Sequence, residues 1–130
     1  MNETPLFAQG ASFLVAEDDA LIVMMVELML EDAGAQRVDI AINVAQANAL
    51  VEGAPFDVAI FDRRLGNDIS FPAAIAARNR GAVIIVASGS PILDLPEALA
   101  DAIILTKPFD PSRFERAVVR ALALRSRVVP

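Results

Sequence analysis

The chain contains no cysteine and no histidine among its 130 residues. Without cysteine it has no disulfide, no zinc–thiolate site and no thiol nucleophile. Without histidine, Ser-His catalysis and histidine general-base chemistry are excluded, and the chain cannot carry a phosphohistidine. Any covalent handling of phosphate must therefore use a carboxylate or a hydroxyl.

Tyrosine and tryptophan are also absent, and the seven phenylalanines are the only aromatic residues. Few rings are therefore available to stack on a flavin, and no Gly-x-Gly-x-x-Gly or Walker A sequence is present. No apolar run reaches the roughly 18 residues that span a bilayer, and no signal peptide is evident. We expect a cytoplasmic protein without membrane contact. The net charge of −6 argues against binding nucleic acid directly.

Three apolar segments, in contrast, run directly into charged side chains. These segments are 13–16, 58–61 and 103–106, and the charged residues after them are Glu17 and Asp18, then Asp62, then Lys107. An apolar run of this length is typical of a buried strand in an α/β fold, whose carboxyl end lies at the rim where ligands bind.

The length fits one domain, and a hydrophobic content of 55% allows a sizeable core. We expect a flexible lead-in over residues 1–11, the folded domain over 12–126 and a tail over 127–130. Strand and helix patterns alternate five times along the chain. This predicts an α/β fold with a doubly wound, five-stranded parallel sheet, helices on both faces and the strand order 2-1-3-4-5.

The element boundaries follow from caps, prolines and apolar periods. The predicted strands are 12–16, 37–42, 56–61, 82–87 and 102–106. The predicted helices are 20–33, 44–52, 71–80 and 111–125, with a short helix at 96–100. Residues 63–70 contain Gly66 and are predicted to form a loop.

The strand order 2-1-3-4-5 makes the first and third strands neighbours, so we expect Glu17, Asp18 and Asp62 to meet. Lys107 would reach in from the fifth strand. Clustered carboxylates suit Mg²⁺ or Mn²⁺, and Asp62 would then be placed as a nucleophile toward phosphorus. Lys107 and Ser88 would stabilise the phosphoryl oxygens. A single acid at a strand end is usually a solvated cap. Here, however, charged residues follow three strands whose ends are predicted to meet.

With these residues in order, the chain resembles the receiver domain of two-component response regulators from Phe13 to about Leu124. The resemblance implies the receiver form of the flavodoxin-like fold. It implies that Asp62 is the phosphoacceptor, that Asp18 ligates Mg²⁺, and that Glu17 lies close by or acts through water. The backbone carbonyl of Arg64 would be a further ligand.

The same resemblance gives Ser88 the role of the switch hydroxyl and Lys107 that of the phosphoryl partner, with a cis peptide before Pro108. The implied partners are a sensor histidine kinase or a histidine phosphotransfer protein and an unknown downstream protein, and a homodimer is a further option. Such a protein is a signalling phosphoacceptor rather than an enzyme. It would catalyse at most its own phosphorylation and dephosphorylation.

The chain is also similar to a stand-alone alphaproteobacterial subgroup of receivers, but it departs from the pattern in two places. Ile104 stands where most receivers have an aromatic residue or histidine that switches rotamer, and the tyrosine of the subgroup is missing after Gly89. Pro91 and Pro96 also interrupt the segment after the fourth strand. We expect phosphorylation to order this segment instead. Arg64 is expected to alter the rate at which water attacks the phosphoryl group.

The helix over 20–33 is apolar around most of its circumference. Its core stripe is predicted to be Leu21, Met24, Met25 and Leu28. Further apolar residues at 22, 23, 26, 29 and 30 exceed what one buried face needs, so they suggest either a protein contact or a deeply buried helix.

Three other functions remain open at the level of sequence. A phosphatase of the haloacid-dehalogenase type also uses an aspartate nucleophile at a strand end, but it needs a second aspartate at position 64, which is arginine here. A nucleotide- or flavin-binding module would lack its glycine-rich loop. A degenerate receiver that only binds proteins would have lost a site residue, and none is lost. No output domain follows the last helix, so a stand-alone regulator or phosphate sink is expected if the chain is complete.

Overall fold

The computed structural model describes residues 6–125. Five parallel strands form one sheet: β1 (Ser12–Ala16), β2 (Arg37–Ala41), β3 (Val58–Asp62), β6 (Val83–Ser88) and β7 (Ile103–Thr106). Four α-helices accompany them: α1 (Ala20–Asp32), α2 (Val44–Gly53), α3 (Phe71–Asn79) and α4 (Pro111–Arg125). Two short strands, β4 (Arg64–Leu65) and β5 (Asp68–Ile69), pair antiparallel outside the main sheet.

The order of the main sheet is β2-β1-β3-β6-β7, with all neighbours parallel. Counting only the strands of this sheet, the order is 2-1-3-4-5, which confirms the predicted topology. Alternate strand residues face opposite sides, so the sheet separates two apolar clusters. Phe61 packs with α2 and α3 on one side, whereas Ile60 packs with α1 and α4 on the other. Helices therefore cover both faces, as expected for buried parallel strands.

The predicted loop at 63–70 is the main local difference from the sequence prediction. It forms the β4–β5 hairpin, which turns at Gly66 with φ of 64°. Each strand is only two residues long, too short for an alternating pattern to be recognised. The third strand also begins at Val58 rather than Phe56, because the Asp57 side chain bonds back to Ser12 at the strand entrance.

The N-terminal residues that the structure describes are packed rather than separate from the domain. Ala8 and Ala11 are fully buried, and the Ala8 N–H donates to the carbonyl of Ala33 at 3.0 Å. The described part of the expected lead-in over 1–11 thus packs against the domain, because small residues let the chain lie against the end of α1. Residues 1–5, residue 126 and the predicted tail 127–130 lie outside the described residues.

The orientation of α1 also differs from the predicted core stripe. Leu21, Met24 and Leu28 are exposed, at 77%, 57% and 53%. Val26 and Leu30 are instead buried against the sheet. A helix that is apolar nearly all round has a weak periodic signal, so its sequence does not reveal which face meets the core. The helix does expose an excess of apolar surface, as predicted. The exposed residues include Leu21, Met24 and Leu28, which the sequence pattern assigns to the core.

The connection from β6 to β7 contains one 3₁₀ turn, Glu97–Leu99, and no α-helix. Its prolines restrict the backbone, and only Leu99 is fully buried along 89–102. The short helix predicted at 96–100 is therefore confirmed as a single turn. Within residues 6–125, no helix is long and apolar enough to cross a bilayer.

Candidate functional site

The carboxyl ends of β1, β3 and β7 bring one lysine between two acids. Lys107, the residue after β7, places its Nζ 2.8 Å from Oε1 of Glu17 and 2.9 Å from Oδ2 of Asp62. Glu17 follows β1, and β1 pairs directly with β3, which ends at Asp62. The three predicted residues therefore meet at one edge of the sheet, although they are far apart in sequence.

Asp18 completes a cluster of three carboxylates with Glu17 and Asp62. One oxygen from each side chain lies within 4.8 Å of the others. Three hard oxygen donors at this spacing fit Mg²⁺ or Mn²⁺, which bind through a few carboxylates and retain several waters. The donor set therefore fits the predicted metal.

Burial and charge change the proton affinity of two of these groups. Burial raises the pKa of the Glu17 carboxyl above its ordinary value, and the hydrogen bond from Lys107 offsets this only in part. Burial by itself lowers the pKa of Lys107, but its hydrogen bonds to Glu17 and Asp62 outweigh it and raise the pKa. Lys107 is therefore a firmly held cation between two acids.

The β4–β5 hairpin covers the cluster from one side. The Gly66 N–H donates to Oδ2 of Asp18 at 2.9 Å, and the Arg64 N–H lies 3.4 Å from Oδ1 of Asp62. The Ser70 hydroxyl donates to the backbone carbonyl of Asp62 at 2.5 Å. These contacts hold the end of β3 and the β4–β5 hairpin together. The role of the Arg64 carbonyl as a metal ligand stays a prediction.

Ser88 is the last residue of β6, which pairs with β3. Ala87, the residue before it, is the register partner of Asp62. Its side chain is buried, and its hydroxyl donates to the carbonyl of Ser90 at 2.7 Å. In this conformation the hydroxyl proton is committed to the following loop rather than to the acids. The structure therefore places Ser88 beside the cluster, and its bond to a phosphoryl oxygen stays a prediction.

Sequence reasoning missed Gly66, Ser70 and Arg63 at this site. Arg63 follows Asp62, and its guanidinium pairs with Asp94 at 3.0 Å. A glycine at a hairpin turn and a serine before a helix have ordinary local explanations, so no signal in the sequence marked them. Arg63 could have been noticed only as the direct neighbour of Asp62.

A groove of about 570 Å³ lies next to the lysine. It is mostly apolar, and its walls come from α1, from Gly89 and from the residues after β7. The Lys107–Pro108 peptide is cis, as predicted. Leu21, an exposed apolar residue of α1, thus lines a concave surface beside the cluster of carboxylates.

No protein-family model matches the chain, and no curated protein sequence matches it either. Solved structures do match. A response regulator receiver protein from Sinorhizobium medicae is 29% identical, with a TM-score of 0.79, and the match covers 89% of this chain and 97% of that one. Chemotaxis protein CheY4 from Vibrio cholerae is 27% identical, with a TM-score of 0.77 and coverage of 87% and 99%.

A third similar structure is the receiver domain of a sensor histidine kinase from Pseudomonas aeruginosa. It is 25% identical, with a TM-score of 0.73, and the match covers 88% of this chain and 98% of that domain. That domain holds a magnesium ion in its active-site cleft. The near-complete coverage and the TM-scores of these matches show that the chain has the fold of response regulator receiver domains, to which it is similar.

Proposed function

We propose that this receiver accepts a phosphoryl group on Asp62 and thereby switches its interactions with other proteins. The observation that carries the proposal is the Lys107 ammonium, which lies 2.9 Å from the Asp62 carboxylate inside a cluster of acids. A structural ion pair needs one acid for one lysine. The surplus carboxylates at this strand end suit a metal ion and a phosphoryl group instead.

Glu17, Asp18 and Asp62 would hold Mg²⁺ or Mn²⁺, with the carbonyl of Arg64 as a further ligand. The ion supplies positive charge for the acceptor carboxylate and the phosphoryl oxygens. Asp18 would link the ion to the hairpin, because a carboxylate has two oxygens and only its Oδ2 accepts from the Gly66 N–H. The hairpin turn is thereby placed to respond to metal binding.

In the transfer step, a carboxylate oxygen of Asp62 forms a bond to phosphorus as the bond from phosphorus to a donor imidazole nitrogen breaks. The imidazole keeps the electron pair of the broken bond. Lys107 would stabilise the charge on the phosphoryl oxygens, since it already lies at the acceptor carboxylate. The donor would be a sensor histidine kinase or a histidine phosphotransfer protein.

Under this proposal the protein acts in signalling and is not an enzyme with turnover on another substrate. It would work in the cytoplasm, through an unknown downstream protein, by passing phosphate on or by self-association. Arg64 is exposed two residues after the acceptor and would influence attack by water on the phosphoryl group. It also stands where a haloacid-dehalogenase-type phosphatase needs its acid, which favours the receiver function.

The test is adduct formation with acetyl phosphate or beryllofluoride in the presence of Mg²⁺, followed by mass spectrometry and NMR. Wild type is expected to form one adduct and Asp62→Asn none. Asp57→Asn is the matched control, because Asp57 lies five positions earlier, at the opposite end of the strand. A wild-type protein that forms no adduct would support a degenerate receiver. An adduct that survives in Asp62→Asn would exclude Asp62 as the acceptor.

A further inference from the structure

The segment 89–95, which follows Ser88, has few fixed contacts. Within the described range 6–125, none of its residues takes part in a backbone–backbone hydrogen bond. Its apolar contacts come from Ile92 and Leu95, which are only partly buried against the core. Two side-chain tethers hold the rest of it, and both begin at strand ends beside Asp62.

The first tether is the Ser88 hydroxyl, which donates to the Ser90 carbonyl at 2.7 Å and accepts from the Ser90 N–H at 3.3 Å. A hydroxyl has one proton to donate. Ser88 cannot therefore hold the Ser90 carbonyl and donate to an oxygen on Asp62 at the same time. If it turns to the acceptor, the first tether is broken.

The second tether is the ion pair between Arg63 and Asp94, with Nη2 3.0 Å from Oδ1. The Arg63 backbone is fixed at both ends: its N–H donates to Ala87 at 2.9 Å, and its carbonyl accepts from Ser70 at 2.8 Å. Asp94, in contrast, lies on the segment and is 59% exposed. The tether therefore joins a rigid base at the acceptor to a loosely held segment.

Arg63 is incompletely satisfied in this conformation. Its Nε is the one buried side-chain nitrogen or oxygen within residues 6–125 that has no hydrogen-bond partner. A guanidinium carries five N–H donors, and Asp94 takes one of them. A buried donor without an acceptor is costly, so the pair with Asp94 leaves part of the guanidinium unsatisfied.

We propose that Arg63 is a positioning residue whose ion pair with Asp94 latches the segment 89–95 in its resting conformation. This inference rests on the proposed function and on the bond predicted from the sequence between the Ser88 hydroxyl and a phosphoryl oxygen on Asp62. The latch keeps the Ser90 carbonyl within hydrogen-bond distance of the Ser88 hydroxyl, and that carbonyl competes with an oxygen on Asp62 for the one hydroxyl proton. The latch therefore opposes loading and links the acceptor to the segment without an aromatic residue at position 104.

The latch is tested first in the unmodified protein with the variants Arg63→Gln, Asp94→Asn and the two combined. NMR order parameters and amide shifts of residues 89–95 are expected to show more motion in each single variant. The double variant should show no further change, because both substitutions remove the same contact. Changes in 89–95 that add up in the double variant, or no change in any variant, would overturn the latch.

The link to the acceptor is tested by titrating the same proteins with beryllofluoride and Mg²⁺. Each variant is expected to bind about two- to fivefold more tightly than wild type, the range that an exposed ion pair can supply. Arg63→Lys should restore the wild-type affinity in part, since it keeps the charge. Unchanged or weaker binding in Arg63→Gln would overturn the opposing role.

Arg78→Gln is the matched control for both measurements. Arg78 forms an ion pair with Asp101. Asp101 also belongs to the connection between β6 and β7, but it lies near β7 and outside 89–95. It is expected to change neither the motion of 89–95 nor the affinity for beryllofluoride. If wild type binds no beryllofluoride, the proposed function and the link to loading both fail. The motion of the segment would still decide whether the latch exists.

Discussion

Two aspartates at opposite ends of β3 have different electrostatic surroundings. Asp57, just before the strand, accepts from the Ser12 N–H at 2.8 Å and the Ser12 hydroxyl at 3.2 Å, and it pairs with Arg125 at 3.3 Å. Asp62, the last residue of the strand, shares Lys107 with the buried acid Glu17. Asp57 therefore has three donors that no other carboxylate uses, whereas Asp62 shares its lysine with Glu17.

The difference separates an acid that has its own donors from an acid in a crowded cluster. A carboxylate with its own donors stabilises the fold. Three carboxylates around one ammonium repel one another, and the repulsion is relieved when a cation binds. The same residue type thus stabilises the entrance of β3 and belongs to an acidic cluster at its carboxyl end.

The largest expected effect comes from removing the shared cation. In Mg²⁺-free buffer, Lys107→Met should lower the free energy of unfolding by about 2 to 3 kcal/mol, because it leaves the buried Glu17 carboxylate without its charged donor. Arg125→Met, at the other end, should cost less than about 1 kcal/mol, because that pair is exposed to solvent. Urea denaturation measures both. Equal losses would remove the contrast between the two ends.

The second effect comes from the acids themselves. Asp57→Ala should lower the free energy of unfolding by about 1 to 2 kcal/mol, since it removes the acceptor for Ser12 and the partner of Arg125. Asp62→Ala should leave stability within about 0.5 kcal/mol of wild type, or raise it, when Mg²⁺ is absent. Urea denaturation in EDTA gives both values. A larger loss of unfolding free energy in Asp62→Ala than in Asp57→Ala would contradict the conclusion that Asp57 contributes more to stability than Asp62.

The third effect is the response to the metal. Mg²⁺ at ten times its dissociation constant should stabilise the wild-type protein by about 1.4 kcal/mol, because binding to the folded state alone shifts the equilibrium. Asp18→Asn is expected to lose most of this gain, and Asp57→Asn is expected to keep it. Thermal unfolding with and without Mg²⁺ provides the measurement. A gain that persists in Asp18→Asn would place the ion elsewhere.

The smallest effect concerns the exposed ion pair between Arg78 and Asp101, which includes neither of the two aspartates. The hydrogen bond from Arg78 lowers the pKa of the Asp101 carboxyl below its ordinary value. Its contribution is therefore present above the ordinary carboxyl range and is lost as the pH falls through the lowered pKa. Arg78→Gln should cost less than about 0.5 kcal/mol at neutral pH, because the pair is exposed. In acid unfolding curves the difference from wild type should vanish, and a difference that grows toward low pH would contradict this sign.

The strand positions and their order could be predicted because they depend on local patterns. Apolar runs of strand length, alternating with helical segments, lead to the order 2-1-3-4-5 under general rules of connection. That order in turn places Glu17, Asp18 and Asp62 at one edge. The orientation of α1 could not be predicted in the same way, because Leu21 and Met24 are as apolar as Val26 and Leu30.

The sequence by itself determined the fold class and the charged residues at the carboxyl edge of the sheet, because strand periodicity and chain order are enough to align parallel strand ends. Only the tertiary structure decided how each side chain at that edge is used. Ser88 bonds to Ser90 rather than to the acids, and Arg63 pairs with a residue 31 positions away. Such choices depend on which donors and acceptors the packed chain brings within hydrogen-bond distance, and no local pattern contains that information.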